Sequence, residues 1–375
     1  MLSEAFADPE KLRVERRKMR LTDVFDSEAV ALNRSEVESN RIPFMGEAFF
    51  PNRKKVGLSI KWLKQNIGLN SMLNTSNFDA IPIIRTREGF KMENTEMVFF
   101  RESMHVKEED MMEIMRAQDA NDPYVDAVLD SIYDDANRLI DAADIAAENM
   151  RMQLLATNKG TPKISIGTSD NMIHTYNYDP DGTYKSKHYM ELSGTDTWDN
   201  PTTAKPFSDI REATKYLRSL GREPMYALMT SKTFDYLLEN DQVKAALVTL
   251  MGTPVTYLDD ATVQNVFRQK TGLTPLLYDK MYIDYSGAEK NFYPDDQVTI
   301  IGSGQLGNTW YGTTPEERTL MGDSAADVSV LDRGVAIAVK TEAGPPVKVL
   351  TSVSQLVIPS YEGMNSTYVI NVKGE

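Results

Sequence analysis

Cysteine is absent from this chain of 375 residues. Disulfides, thiolate nucleophiles and cysteine-based zinc sites are therefore excluded. Histidine is scarce too: only His105, His174 and His188 occur, and no two of them have the spacing that ligates one metal ion. No apolar run approaches the roughly 20 residues that cross a bilayer, so no membrane partner is expected. The opening MLSEAFADPEKLRVERRKMRL is charged throughout and lacks the apolar core of a secretory signal. Positive charge is the minority sign. Lys and Arg number 41 against 55 Asp and Glu, for a net charge of −14 and a pI near 4.9. Such a surface is unsuited to coating nucleic acid, because phosphate binding works through Lys and Arg that release counterions. It remains compatible with a wall that encloses nucleic acid.

What the chain does contain is a succession of distinct segments. Its apolar fraction of 41 % is that of a globular protein, and its length admits two or three cores. Residues 1–48 read as an extended arm, with Leu12 and Met19 set among Arg13, Arg16, Arg17, Lys18 and Arg20. Residues 49–106 open on Phe49-Phe50-Pro51 and the basic Arg53, Lys54 and Lys55. A long hairpin is predicted next: a strand near Ala80–Thr86, a turn at Glu88-Gly89 and a strand over Phe90–Phe100. In the second strand Phe90 and Met92, then Met97 and Phe99, stand two apart. Such a hairpin cannot bury both faces on its own body and invites a partner.

The strongest periodic signal covers 123–156. Asp122 and Pro123 suit a helix start. Val125, Val128, Leu129, Ile132, Ala136, Leu139, Ile140, Ala143, Ala147, Met150 and Leu154 recur at three- and four-residue steps. Asp126, Asp130, Asp134, Asp135, Arg138, Asp141, Asp144 and Glu148 fill the other face, and Gly160 and Pro162 end the pattern. The helix would be about 50 Å long. Its many alanines favour a spine lying across a sheet over a coiled coil.

Residues 163–192 read as a second hairpin. Met172, His174, Tyr176 and Tyr178 alternate, Asp179-Pro180-Asp181-Gly182 turns, and Thr183–Leu192 returns. A polar linker, Ser193–Pro206, follows. Residues 207–340 mix helices (from Ser208 to Gly221, from Ser231 to Leu247, from Asp259 to Lys270) with strands near Tyr226–Met229, Leu276–Tyr278, Met281–Tyr285, Val298–Ile301 and Val335–Val339. That is an α+β unit with its own core. Val347–Ile358 and Tyr368–Val372 are strand-like and are expected to return to the earlier sheet.

Three motifs invite a chemical reading. Gly302-Ser303-Gly304-Gln305-Leu306-Gly307 matches G-x-G-x-x-G after a strand, but Asn308-Thr309-Trp310-Tyr311-Gly312 do not open the helix that a dinucleotide site requires. Asn177, Asp179, Asp181 and Gly182 imitate half an EF-hand loop, with His188 where a bidentate Glu belongs. A turn is the better reading. The neighbouring acids Asp134-Asp135, Asp259-Asp260, Asp295-Asp296 and Glu316-Glu317 could share protons, but adjacent side chains point apart. No catalytic, cofactor-binding or metal-binding residue is assigned.

The order of parts, with Phe49-Phe50-Pro51, Lys290-Asn291-Phe292-Tyr293-Pro294-Asp295-Asp296 and Thr309-Trp310-Tyr311-Gly312-Thr313-Thr314-Pro315-Glu316-Glu317, resembles the lambda-type major capsid protein E family of tailed bacteriophages. The resemblance covers roughly residues 40–372. It implies an α+β, tailed-phage major capsid fold of the Hong Kong 97 type. The parts would be an N-terminal arm (1–48), an extended β-hairpin loop (49–106), a peripheral domain with spine helix and hairpin (107–200), an α+β axial domain (201–340) and returning strands (341–375). It implies no enzyme and no cofactor, but the structural subunit of an icosahedral phage head, located in the virion after assembly in the host cytoplasm. The partners implied are other copies in pentamers and hexamers, a separate scaffolding protein, a portal protein and a decoration protein. Double-stranded DNA would be enclosed without sequence-specific binding. Cross-linking between subunits, known in relatives, needs a Lys, an Asn and a Glu that the sequence does not single out. The 20 methionines suit adaptable contacts. Competing readings are the shell of a cellular nanocompartment and a cytoplasmic enzyme that binds a nucleotide at Gly302–Gly307.

Overall fold

A helix of 33 residues, Tyr124–Ala156, serves as the spine on which two separate sheets meet. The computed structural model describes residues 44–64, 91–106, 124–167, 173–251, 260–320, 327–330, 334–342 and 348–374, with Ser27, Val30, Ala31, Arg34, Glu109, Met112 and Arg116. The helix appears where the periodicity predicts it. Its proposed cap, Asp122-Pro123, lies outside the described residues. It ends where Thr157, Lys159 and Gly160 all take positive φ. Toward that end Met150, Met152, Leu154, Leu155 and Ala156 are buried on every side, so the helix stops being amphipathic and becomes a core element.

The first sheet has six strands. In chain order they are β1 (Asn52–Lys54), β4 (Val98–Val106), β13 (Asn308–Tyr311), β14 (Asp327–Val330), β15 (Val335–Glu342) and β16 (Lys348–Ser360). The order in space is β1-β13-β16-β15-β14, with β4 on the other edge of β16. The 13-residue β16 is the backbone of this sheet, and the spine helix packs across it. The second sheet has the order β7-β17-β12-β8-β9, from Tyr189–Glu191, Thr367–Asn371, Gln297–Gly302, Pro224–Met229 and Thr274–Leu277. The helices Pro206–Ser219, Ser231–Glu239, Asp241–Met251 and Asp260–Thr271 accompany it, and a separate core forms around Phe207, Ile210, Leu217, Phe234, Phe267 and Ile300. Three two-stranded hairpins complete the description: β2 (Ser59–Lys64) with β3 (Lys91–Glu96), β5 (Lys163–Gly167) with β6 (Ile173–Asn177), and β10 (Met281–Ile283) with β11 (Glu289–Asn291).

Several expectations change. The described partner of Lys91–Glu96 is Ser59–Lys64, from Ser59 opposite Glu96 to Lys64 opposite Lys91. The strand expected near Ala80–Thr86 lies outside the described residues. Met97 and Phe99 do not share a face: Met97 is buried and Phe99 exposed, because the strand breaks at Met97, whose amide bonds the Leu58 carbonyl, and resumes as β4 in the large sheet.

The second hairpin also differs. Lys163–Gly167 pairs with Ile173–Asn177, whereas Thr183–His188 forms a short helix and Tyr189–Glu191 joins the second sheet. The reason is Asp179: its Oδ2 accepts the amides of Tyr184 and Lys185 at 2.9 and 3.1 Å, which starts a helix where a strand was predicted.

The helix expected from Ser208 begins at Pro206, since proline suits the first helical position. The one expected over Ser231–Leu247 is two, because buried Asn240 caps the second through Gln242 N and Val243 N. Val335–Glu342 and Asn308–Tyr311, grouped by sequence with the α+β unit, belong to the six-stranded sheet. The final strands separate: β16 joins the first sheet and β17 the second.

The crossing from the second sheet to the first runs through Gly302–Gly307. Leu306 N bonds the Phe49 carbonyl at 3.0 Å, and a Cβ on Gly307 would overlap the Ser360 carbonyl oxygen. Backbone there cannot retreat, because Asn308 and Ser360 are ladder partners. Gly307→Ala is expected to cost about 3 kcal/mol, read as a lowered midpoint in chemical denaturation.

Candidate functional site: the buried joint of loop, spine helix and two sheets

The two charged residues near the end of the spine, Glu148 and Arg151, are both fully buried, against the prediction that Asp144 and Glu148 line a solvent face. Glu148 Oε1 accepts the Gly46 amide and the Tyr278 hydroxyl, each at 2.9 Å, and Oε2 accepts Arg151 Nη1 at 3.2 Å. Arg151 spends its other donors on Thr309 Oγ1 (2.8 Å, from Nε), Asn52 Oδ1 (2.6 Å) and Tyr311 Oη (3.3 Å). Thr309 Oγ1 in turn donates to the Phe50 carbonyl at 2.9 Å. One ion pair thus gathers α1 (Met45–Phe49), β1, β13, the spine and Tyr278 just beyond β9. Gly46 has no room for a side chain, since a Cβ would lie 2.9 Å from Arg151 Cδ. Burial pushes the Glu148 carboxyl up, while Arg151, the Gly46 amide and the Tyr278 hydroxyl draw it back. Burial and the Glu148 charge push the Tyr278 hydroxyl well above its usual range, so it keeps its proton and donates it to Glu148.

A second pair explains Asp144. Arg34, almost completely buried, donates to Asp141 at 2.8 Å and Asp144 at 3.2 Å, fixing that arm residue to the spine. The basic cluster Arg13–Arg20 lies outside the described residues. At the other edge, Glu316 accepts Ser354 Oγ at 2.7 Å and pairs with Arg101, and Glu317 takes Lys54 at 2.6 Å.

The residues singled out by sequence are dispersed. His105 and His174 are exposed on β4 and β6. His188 is buried, stacked on Tyr184 with 5.0 Å between ring centroids, and donates from Nδ1 to the Thr367 carbonyl at 2.9 Å. Asp295 serves Thr230 and Lys232, whereas Asp296 serves Tyr236, so the two adjacent acids face different partners. Asp134 is exposed and Asp259 lies outside the described residues. Asp179 caps a helix, as described. Gly302–Gly307 is followed by strand β13 rather than a helix. Among the described residues no three His, Asp or Glu converge as metal ligands, and no helix is long and apolar enough to cross a membrane. The arrangement holds segments together.

Sequence reasoning passed over Gly46, Glu148, Arg151 and Tyr278 as a set. The available signal was the all-round apolar character of Met150–Ala156: a helix end buried on every side obliges any charge beside it to be paired.

Arg151→Met strands a buried carboxylate and is expected to cost about 3–5 kcal/mol, measured by denaturant titration. His188 gives a pH prediction. Its burial lowers the imidazole pKa below the ordinary 6.5. The unfolded chain therefore binds the proton more readily, and stability present above about pH 6.5 is lost as pH falls toward the folded value. Thermal melts at pH 7.5 and 5.5 should show a larger fall for the wild type than for His188→Phe, which keeps the ring stack.

The model of one protein family, described as phage major capsid protein E, matches residues 30–345. A phage-related protein from Bordetella bronchiseptica RB50 shares 14 % identity, with TM-score 0.52, over 91 % of this chain and 96 % of its own. The structure described as a prophage capsid protein of E. coli CFT073 shares 15 % identity, with TM-score 0.56, over 93 % and 99 %. A search of curated protein sequences finds no match. The tailed-phage capsid fold expected from the sequence is the fold found.

Proposed function

The chain belongs to the phage major capsid protein E family, and on that premise we propose how its parts build a shell. It is a structural subunit of a phage head, copies of it associate into the capsid, and it belongs to the virion. We read the unit around the five-stranded sheet as the axial domain, through which copies gather into pentamers and hexamers. The spine helix with the six-stranded sheet is the peripheral domain. The β2–β3 hairpin is the root of the extended loop that reaches a neighbour, and Arg34 anchors the arm. The chain has no catalytic duty: its glycine motif is consumed in the crossing between sheets, and its buried charges are spent on one another.

The acidic surface suits a container for double-stranded DNA that neither binds it tightly nor reads it. Assembly in the host cytoplasm, on a separate scaffolding protein and around a portal, with a decoration protein added outside, completes the proposal. The family match carries it. The Arg151–Glu148 joint supports it, because a subunit that passes load between neighbours needs its loop root, spine and two sheets fixed to one point.

The test is sedimentation and negative-stain electron microscopy of the chain expressed alone and with its neighbouring genes. Uniform shells, or discrete pentamers and hexamers, are expected; a monomer in both preparations would overturn the proposal. Lys64 and Lys91 are cross-strand partners, so an Asn-Gly turn can replace residues 65–90. That variant is expected to keep the wild-type melting temperature within about 5 °C yet to close no shells. Normal particles would remove the loop from assembly.

A further inference from the structure

Six of the ten large hydrophobic side chains that stand exposed among the described residues fall in two patches. One is a ridge at the root of β2, where Val56 and Leu58 are 82 % and 65 % exposed on either side of Gly57. The other is a shelf made by the β5–β6 and β10–β11 hairpins, carrying Ile173, Met281, Ile283 and Tyr285, each more than half exposed. The shelf is one surface, because the Tyr285 ring lies against Gly167, the cross-strand partner of Ile173.

The shelf is also rigid. Asp284 Oδ1 accepts Ser286 N (2.8 Å), Ser286 Oγ (2.5 Å) and Ala288 N (3.1 Å), and Oδ2 pairs with Lys290 at 2.5 Å. An exposed aromatic on a turn already fixed loses little freedom on docking. Isolated apolar residues on a surface need no explanation, but a rigid cluster of four does.

Ridge and shelf are distinct surfaces, tied to the body through different residues of the spine. Gln153 holds β5 through Ser165 N (2.7 Å) and Ser165 O (3.2 Å), and Asn149 bonds Tyr282 of β10. Arg151, between them in sequence, reaches Asn52 and Thr309 of the six-stranded sheet. Helical residues two apart point about 200° apart. A ring of identical subunits joined head to tail requires two different patches per copy, each covered by the other kind. Beside the ridge exposed Arg53 and Lys61 outnumber exposed Glu96, while on the shelf Lys290 is taken by Asp284, leaving the Glu289 carboxylate opposite Ile283.

We propose that the Val56–Leu58 ridge of one copy docks on the Ile173–Ile283–Tyr285 shelf of the next copy in the ring. The proposal rests on the shell reading and assigns one of its contacts. The absence of cysteine makes it testable by cross-linking in the full chain. Two double variants are made, Val56→Cys with Ile283→Cys and Leu58→Cys with Tyr285→Cys, alongside the four single variants. Particles are isolated, oxidised and run on denaturing gels without reductant. The expected result is a ladder of covalent oligomers from at least one double variant, collapsing on reduction, with no ladder from any single variant. Particles from both double variants that yield only monomer would overturn the ridge–shelf contact and leave the shell reading standing. A wild-type chain that forms no particles in the same preparation would instead sink the shell reading, and the contact with it.

Discussion

The structure depends on one buried ion pair. Arg151 and Glu148 sit one turn apart on the spine helix, and between them they bond the loop root, the end of β9 and strand β13. Removing two charges from water costs several kcal/mol each, and the attraction between them recovers that only when every remaining donor and acceptor is satisfied. That condition decides the local sequence: Gly46 to admit the carboxylate, Asn52 and Thr309 to receive the guanidinium, Tyr278 to donate a hydroxyl. An apolar substitute of the same volume could equal its stability. It could not specify which segments meet, because hydrophobic contact has no direction.

Around this joint the rest is ordinary packing. Phe49, Phe50, Leu154, Leu155, Val357 and Tyr361 form the core between spine and first sheet. The second sheet buries its own cluster beneath four helices. The two cores are stitched where the chain crosses at Gly302–Gly307, and where Thr299 Oγ1 donates to the Leu155 carbonyl at 2.8 Å. A shell subunit built this way has a firm body and keeps its exposed apolar side chains outside both cores.

The charge pattern has two uses. Within the chain, acids that look like candidate catalytic pairs in the sequence are engaged by different partners: Asp295 by Lys232, Asp296 by Tyr236, Glu316 by Arg101, Glu317 by Lys54. Outside, the acidic excess keeps separate copies from adhering indiscriminately. Specific association must then come from apolar patches, which is why the ridge and the shelf bear on assembly.

By itself the sequence determined the local elements. Apolar residues at three- and four-residue steps gave the spine helix its length, Gly221 and Gly272 placed the ends of two helices, and β-rich runs located most strands, because these are set by neighbours within one or two turns of chain. The resemblance of the late segments supplied the fold class. Tertiary structure alone decided which strands pair. Ser59–Lys64 as partner of Lys91–Glu96, and the separation of Asn308–Glu342 from the α+β unit, depend on contacts across tens to hundreds of residues that leave no periodic trace. It also decided the fate of the charges. Asp144 and Glu148 occupy the polar face that periodicity assigns, and only the arrival of Arg34, Gly46 and Tyr278 from distant parts of the chain makes that face an interior one.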